Sequence, residues 1–383
     1  MDFQLSKTHQ LLRQAVRDFT KKEVRPIARQ LDEEVRYPVE TIEKFFKYGY
    51  MSFLLKRELG GAGGDTTGYM ICIEELAKGC PPTAGILSGH NEAAINVLQK
   101  WGTPYQQETY LTRLKTDTMG GFCLTEPTAG SDAGGLKTRA VLEGDHYVVN
   151  GTKCFVTNGG FAGIFILMAV TDPESKSGKS AFILDKNFEG VSVGKNENMM
   201  GFHAGSITEL RLNNVKIPKE NLLGQEGEGL RVALGNLEGG RVIVAAEALG
   251  LAENAMEEAI EFCNTHRVNG KLLSTYQHVQ FKLAELKTQV DAARLLTYQG
   301  ASLLDTIHSA NLEAAQAKYF VTQTASDVSA ALVELLGQHG YTNQYPIERY
   351  MRDAKLMEIY EGTNQIQKMV ISRALGLITR EKK

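Results

Sequence analysis

Apolar positions change their spacing twice along this chain. Up to about residue 120 the spacing is helical: Leu12, Val16 and Phe19 recur every three or four residues, with lysines and arginines between them. Pro26, Pro38 and the run Gly60-Gly61-Ala62-Gly63-Gly64 punctuate this stretch. The glycine run follows no β-like segment and lacks a Gly-x-Gly-x-x-Gly spacing, so it predicts a loop between helices rather than a dinucleotide fingerprint. From 121 to 230 the period shortens. His146–Val156 reads as two β-rich runs joined at Asn150-Gly151, a predicted hairpin because both turn residues tolerate positive φ. Ile164–Val170 and Ala181–Leu184 are apolar runs of strand length, and Leu210–Asn213 alternates with period two. From 231 onward the helical spacing returns, in Val279, Leu283, Leu286, Val290 and Ala293, and few prolines or glycines interrupt 242–336. The prediction is a mainly α protein with a small central β domain: an N-terminal helical domain over 1–120, a middle β domain over 121–230 and a C-terminal helical bundle over 231–383.

Composition narrows the class. A chain of 383 residues is too long for one ordinary core. A net charge of −3 argues against nucleic acid or an anionic membrane as the main partner. No stretch reads as a membrane span, and Met1-Asp2-Phe3-Gln4-Leu5 lacks the basic-then-apolar layout of a signal peptide. Cys72, Cys80, Cys123, Cys154 and Cys263 are odd in number and widely spread, which reads as reduced thiols of a cytoplasmic protein. In that setting the sequon Asn150-Gly151-Thr152 is incidental.

Two segments carry chemistry. Glu361 follows the apolar pair Ile359-Tyr360 and precedes Gly362 and Thr363, so an acid can be partly desolvated there and still be approached closely. Desolvation raises a carboxylate's pKa and makes it a stronger base near neutrality. More than two hundred residues earlier, Phe122–Asp132 offers the hydroxyls of Thr125, Thr128 and Ser131 and the bare backbone of Gly130, which suits the polar edge of a bound ring. On composition alone that segment is a loop. The histidines form no metal-like set, and solvated or capping roles are expected for His90, His203 and His339.

The spelling of these segments, Cys123-Leu-Thr-Glu-Pro-Thr-Ala-Gly-Ser-Asp132 and Tyr360-Glu-Gly-Thr-Asn-Gln365, resembles the acyl-CoA dehydrogenase family over essentially the whole chain. Within the family it resembles the short- and medium-chain, butyryl-CoA dehydrogenase-like branch. The resemblance implies an α-bundle, a β-barrel and a four-helix bundle in that order, with FAD as cofactor. It implies that Phe122, Cys123, Leu124, Thr125, Gly130 and Ser131 line the flavin, with Phe155 and Thr157 flanking it. Ser131, Arg241 and Gly362 would meet the acyl-CoA. Glu361 would be the catalytic base; another branch places its glutamate just before the arginine, where this chain has Gly240. Thr363 and Gln365 would reach the phosphate and adenosine portion of FAD, as would Gln277. Where the family usually reads Arg-x-x-Phe-Gly, this chain has His266-Arg267-Val268-Asn269-Gly270, putting His266 at the arginine position with Arg267 one residue off register. Glu334, Gly337 and Gln338 would receive the neighbouring subunit's adenosine, Glu334 standing where glutamine is more usual.

The implied reaction is removal of a Cα proton by Glu361 with hydride loss from Cβ. The resemblance further implies electron-transferring flavoprotein as partner and a homotetramer, with no nucleic acid and no membrane insertion. The same site run backwards would be an enoyl-CoA reductase. An oxidase is disfavoured by chain length, and a catalytically silent binding or assembly paralogue is disfavoured by the presence of Glu361.

Overall fold

The three bands of hydrophobic spacing become three bands of elements in the computed structural model, which describes residues 4–175 and 177–377. The first is helical. Helix α1 (Lys7–Phe19) starts where the Ser6 hydroxyl accepts from the His9 N–H at 3.2 Å, and α2 (Thr66–Gly79) starts where Asp65 accepts from the Gly68 N–H at 2.7 Å. Helix α3 (Pro81–His90) runs on through a π-helical turn, Asn91–Asn96, into Val97–Trp101. This long run is buried along most of its length and borders both halves of the site described below.

The second band is a mixed sheet: β1 (Met119–Cys123), β2 (Arg139–Glu143), β3 (His146–Thr157), β4 (Ala162–Val170), β5 (Lys179–Asp185), β6 (Val191–Asn196), β7 (Ile207–Pro218) and β8 (Leu222–Leu223). Its order is β6-β7-β3-β2-β4-β5-β8, with β1 parallel to β4 off that path. Among the described residues its two ends do not meet, so the expected barrel is an open sheet. Only one residue pair, Arg139 with Val170, joins β2 to β4, and β8 is two residues long. β4 is covered on both faces, which is why it reads as an unbroken apolar run rather than an alternation.

The hairpin expected at Asn150-Gly151 is absent: β3 passes straight through it. The register against β7 shifts between Val149 and Gly151, which marks a bulge. Gly151 is needed for close approach, since a Cβ there would stand 2.4 Å from Thr138 Oγ1. Asn150 instead pairs with Asn214, accepting from its N–H at 2.8 Å and donating to its Oδ1 at 3.0 Å. The turn joining β2 to β3 is Gly144-Asp145, with positive φ at Gly144.

The third band is the bundle: α4 (Leu237–Thr265), α5 (Gln277–Ile307), α6 (Asn311–Leu336), α7 (Ile347–Met357) and α8 (Asn364–Ala374). Helix α4 is buried almost continuously from Gly240 to Met256, and Val279, Leu286, Val290 and Ala293 of α5 are buried as their spacing predicts. Among the described residues no helix is long and apolar enough to cross a membrane.

Candidate active site

Glu361 lies in the turn between α7 and α8, in left-handed backbone (φ 52°), followed by Gly362 (φ 84°). An L residue accepts that conformation only when its surroundings enforce it. Gln367, fully buried on α8, does so by donating from Nε2 to the carbonyls of Glu361 (3.1 Å) and Gly362 (2.8 Å). The N–H of Glu361 is left without an acceptor among the described residues. The carboxylate is laid against α4: a Cβ on Gly240 would stand 2.9 Å from Glu361 Oε2. The bare position and the acid therefore occupy complementary space.

Burial pushes the Glu361 carboxyl upward, and the cations Arg241 and Lys318 partly offset this. Arg241 is 7% exposed, donates from Nη1 to Asn311 Oδ1 at 2.8 Å, and keeps an unpaired Nε. Lys318 was not anticipated. It is fully buried on α6, donates to Asn364 Oδ1 at 3.1 Å, and burial brings it down to about 7 against the opposing pull of Glu361. Its signal in sequence was a lysine set among the buried Ala314, Ala315, Ala317 and Val321. Also unanticipated are Glu92, which burial pushes up to about 8, and Glu247, pushed up likewise to about 8 and accepting from the hydroxyl of Tyr360, next to Glu361.

The second half of the site forms where the 122–131 segment meets the end of β3. Cys154 N–H donates to the Thr125 carbonyl at 2.9 Å. Beneath, Lys153 and Glu126 make a buried ion pair at 2.7 Å; Lys153 also donates to the Leu124 carbonyl, while Glu126 accepts from the N–H groups of Lys137 and Thr138. Sequence reasoning missed both residues, because a Glu and a Lys in a loop and a strand read as solvated. Phe155, a strand-core residue by pattern, is instead 62% exposed in left-handed backbone (φ 54°). Phe122, Leu124, Thr125 and Thr157 are half-buried, Cys123 is buried, and Gly130 and Ser131 are exposed. The Thr125 and Thr157 hydroxyls have no hydrogen-bond partner among the described residues. An exposed aromatic face edged by free hydroxyls and an open glycine fits a flavin ring. The two halves converge on one helical run: a Cβ on Gly89 would meet Thr157 Cγ2 at 2.9 Å, while Glu92, one turn on, feels the charge of Glu361.

The remaining candidates do not all join this centre. Thr363 caps α8, accepting from the Ile366 N–H at 3.3 Å, and Gln365 beside it is exposed. His266 ends α4, 26 residues beyond Gly240, roughly 40 Å along the helix at 1.5 Å per residue. Its ring stacks on Phe262 (centroids 4.5 Å apart) and packs edge-on to His339 at 4.7 Å, so it belongs to the bundle's aromatic end. Arg267 is exposed, with Nη1 donating to the Gly270 carbonyl at 3.0 Å. Gln277, Glu334, Gly337 and Gln338 are exposed, the last two beside His339. Asn269 and Gly270 both have positive φ and close a short hairpin pairing Val268 with Lys271. The asparagine at the family's phenylalanine position is thus a good turn residue. His90, expected to be solvated, is fully buried: it accepts from the Gly120 N–H at Nδ1 (2.9 Å) and donates from Nε2 to the Met51 carbonyl (3.1 Å), and burial lowers it to about 4.

Comparison with known proteins agrees with this architecture. The chain matches the acyl-CoA dehydrogenase N-terminal domain over residues 6–117, the middle domain over 121–215 and the C-terminal domain over 227–376. It is 44% identical to the short-chain specific acyl-CoA dehydrogenase of Clostridium acetobutylicum, over 97% of this chain and 99% of that one. It is 38% identical to a subunit of the caffeyl-CoA reductase–Etf complex of Acetobacterium woodii, over 97% and 98%. The butyryl-CoA dehydrogenase structure from Megasphaera elsdenii superposes with a TM-score of 0.95 at 39% identity, covering 98% and 100%. The fold and the family matches define an oxidoreductase acting on CH–CH groups, of a flavin-dependent family. The chain belongs to the acyl-CoA dehydrogenase family.

Proposed function

We propose that this protein carries out the α,β-dehydrogenation of a short- or medium-chain acyl-CoA, with Glu361 as the base and FAD as the cofactor. FAD, when bound, supplies the hydride acceptor for Cβ. Glu361 takes the Cα proton; its backbone N–H, free of any protein acceptor, points to a role in holding the thioester oxygen, where negative charge builds as the proton leaves. A preorganised donor of this kind contributes roughly 3 kcal/mol or more. Arg241, with one unpaired nitrogen, and Lys318 keep part of the base ionised in a site whose burial favours the neutral acid. Phe122 to Ser131, with Phe155 and Thr157, hold the ring; Ser131 and Gly362 border the thioester. The observation that carries the reading is the Glu361–Gly240 contact, which seats an acid of raised pKa in a site walled by buried helices.

His266 and Arg267 follow the far end of α4, roughly 40 Å along the helix from Gly240, and Gly337 and Gln338 lie beside His339, which packs on His266. This separation from Glu361 favours a second subunit completing each site, with Gln277 and Glu334 contributing from the same end of the bundle, as in a homotetramer. The likeness to a subunit of a reductase–Etf complex supports electron-transferring flavoprotein as the redox partner. It also favours a second reading, the same centre run as an enoyl-CoA reductase. Five unpaired cysteines suit the reducing cytoplasm.

The test is Glu361→Gln. The variant should purify with flavin bound and lose turnover by a factor on the order of 10³; activity near wild type would sink the assignment. The direction is settled by comparing anaerobic flavin bleaching by acyl-CoA with reoxidation of the reduced protein by the matching enoyl-CoA.

A further inference from the structure

A cavity of about 370 Å³ lies one helical position along from the Glu361–Gly240 contact, walled by Glu92, Asn96, Gln99, Gly239, Ile243 and Leu304. An alkyl pocket needs an apolar wall, yet one face of the helical run here is polar at positions i, i+4 and i+7. Gln99 accepts from the Lys56 N–H (3.2 Å) and donates from Nε2 to the Leu54 carbonyl (3.1 Å) and to Asn96 Oδ1 (2.6 Å); Asn96 donates from Nδ2 to Glu92 Oε2 (2.6 Å). The row runs in one direction and ends at Glu92 Oε1, which has no partner among the described residues although Glu92 is only 8% exposed. That oxygen lies 2.4 Å from where a Cβ on Gly239 would stand, so only glycine leaves it room. Three other polar groups around the cavity are tied to backbone: Glu238 accepts from the Ala310 N–H (3.0 Å), Lys100 donates to the Gly235 carbonyl (3.1 Å), and His308 Nδ1 donates to the Leu304 carbonyl (3.0 Å).

We propose that the acyl group handled here is not a plain alkyl chain but carries a hydroxyl at its distal end, received by Glu92 Oε1 at the end of the Gln99–Asn96–Glu92 row. The inference rests on the dehydrogenase or reductase reading of the same site. A hydroxyl both gives and accepts a hydrogen bond, so it matches Glu92 whether or not the carboxyl holds its proton. An ammonium matches only the ionised form, and a carbonyl only the protonated one.

The experiment measures kcat/KM of the flavin-loaded protein for two matched pairs: hexanoyl-CoA against 6-hydroxyhexanoyl-CoA, and 3-phenylpropanoyl-CoA against 3-(4-hydroxyphenyl)propanoyl-CoA. In at least one pair the hydroxylated member should be preferred by about tenfold or more, since a site built to bond a hydroxyl discriminates against the analogue lacking it. Glu92→Leu should abolish that preference. Asn96→Leu, which cuts the row while keeping the acid, should reduce it and carries the test should Glu92→Leu not fold. Equal or better use of the unsubstituted member in both pairs, or a preference that survives both substitutions, overturns the inference while leaving the dehydrogenase reading intact. Failure of all four thioesters to bleach the flavin, and of the matching enoyl-CoAs to reoxidise the reduced protein, would sink the activity itself.

Discussion

At Glu361 the backbone and the charge both depend on neighbours from distant parts of the chain. The carboxyl is raised by burial and lowered by Arg241 and Lys318, and proton abstraction needs the carboxylate. Activity should therefore fall as pH drops through a value above the ordinary carboxylate range, seen as the acidic limb of a kcat/KM profile. Removing one cation moves that limb in a defined direction. Lys318→Met takes away a group that favours ionised Glu361, so the limb should shift to higher pH; a shift to lower pH would refute the assignment of Lys318. Gly240→Ala separates stability from catalysis. Alanine is favoured over glycine within a helix by up to about 1 kcal/mol, and the nearest atom is the mobile end of Glu361, so the fold should tolerate it. Displacing the base by about 1 Å should nonetheless lower kcat/KM about 10²-fold. Melting and steady-state assays on one preparation check both halves.

At the level of elements, the 122–131 segment is held by the buried pair Glu126–Lys153 as well as by its own turn, in which Glu126 and Ala129 exchange backbone hydrogen bonds. Breaking one side of such a pair leaves an uncompensated buried charge, so Lys153→Met should destabilise by about 3–5 kcal/mol and loosen flavin, read by chemical denaturation and by the visible spectrum of the purified protein. Burial alone would raise Glu126, but hydrogen bonds from Lys153 and Thr138 hold it below the usual carboxylate value. Its contribution to stability is therefore present above the unfolded carboxylate pKa and lost as pH falls through the depressed one. The order helices, then strands, then helices was legible from sequence because the hydrophobic period changes with the element type. The dipeptide Asn-Gly was not a sufficient guide: at 269–270 both residues take positive φ and close a hairpin, while at 150–151 the strand runs on through a bulge and the missing side chain of Gly151 makes room for Thr138. A local turn signal cannot report a neighbour from another strand. The spelling around Glu361 marked that residue as the candidate base, whereas Glu92, Lys153 and Lys318 gave no such signal, since a charged residue in a periodic pattern reads as surface until its partner from elsewhere in the chain is known.

At the scale of the whole molecule, Glu74 of α2 ties the N-terminal helices to the bundle. It is fully buried and takes Arg13 of α1 at 3.1 Å, Arg294 of α5 at 3.0 Å and the hydroxyl of Tyr298. Glu74→Ala should cost about 1–3 kcal/mol by removing the acceptor shared by Arg13, Arg294 and Tyr298, since Arg13 keeps Glu75 and Arg294 keeps Glu253. The loss should appear as a lower melting temperature with no change in the substrate preference of folded protein. Helix α4 has a wider consequence. Its 29 residues separate Glu361 near one end from the His266 cluster at the other by roughly 40 Å. If each cofactor is shared between two chains, a chain dead at Glu361 and a chain unable to grip adenosine at the far end are defective in different halves. Co-expressed, two inactive polypeptides would then rebuild one intact centre per pair. Complementation between alleles of a single gene would thus be written into the length of one helix.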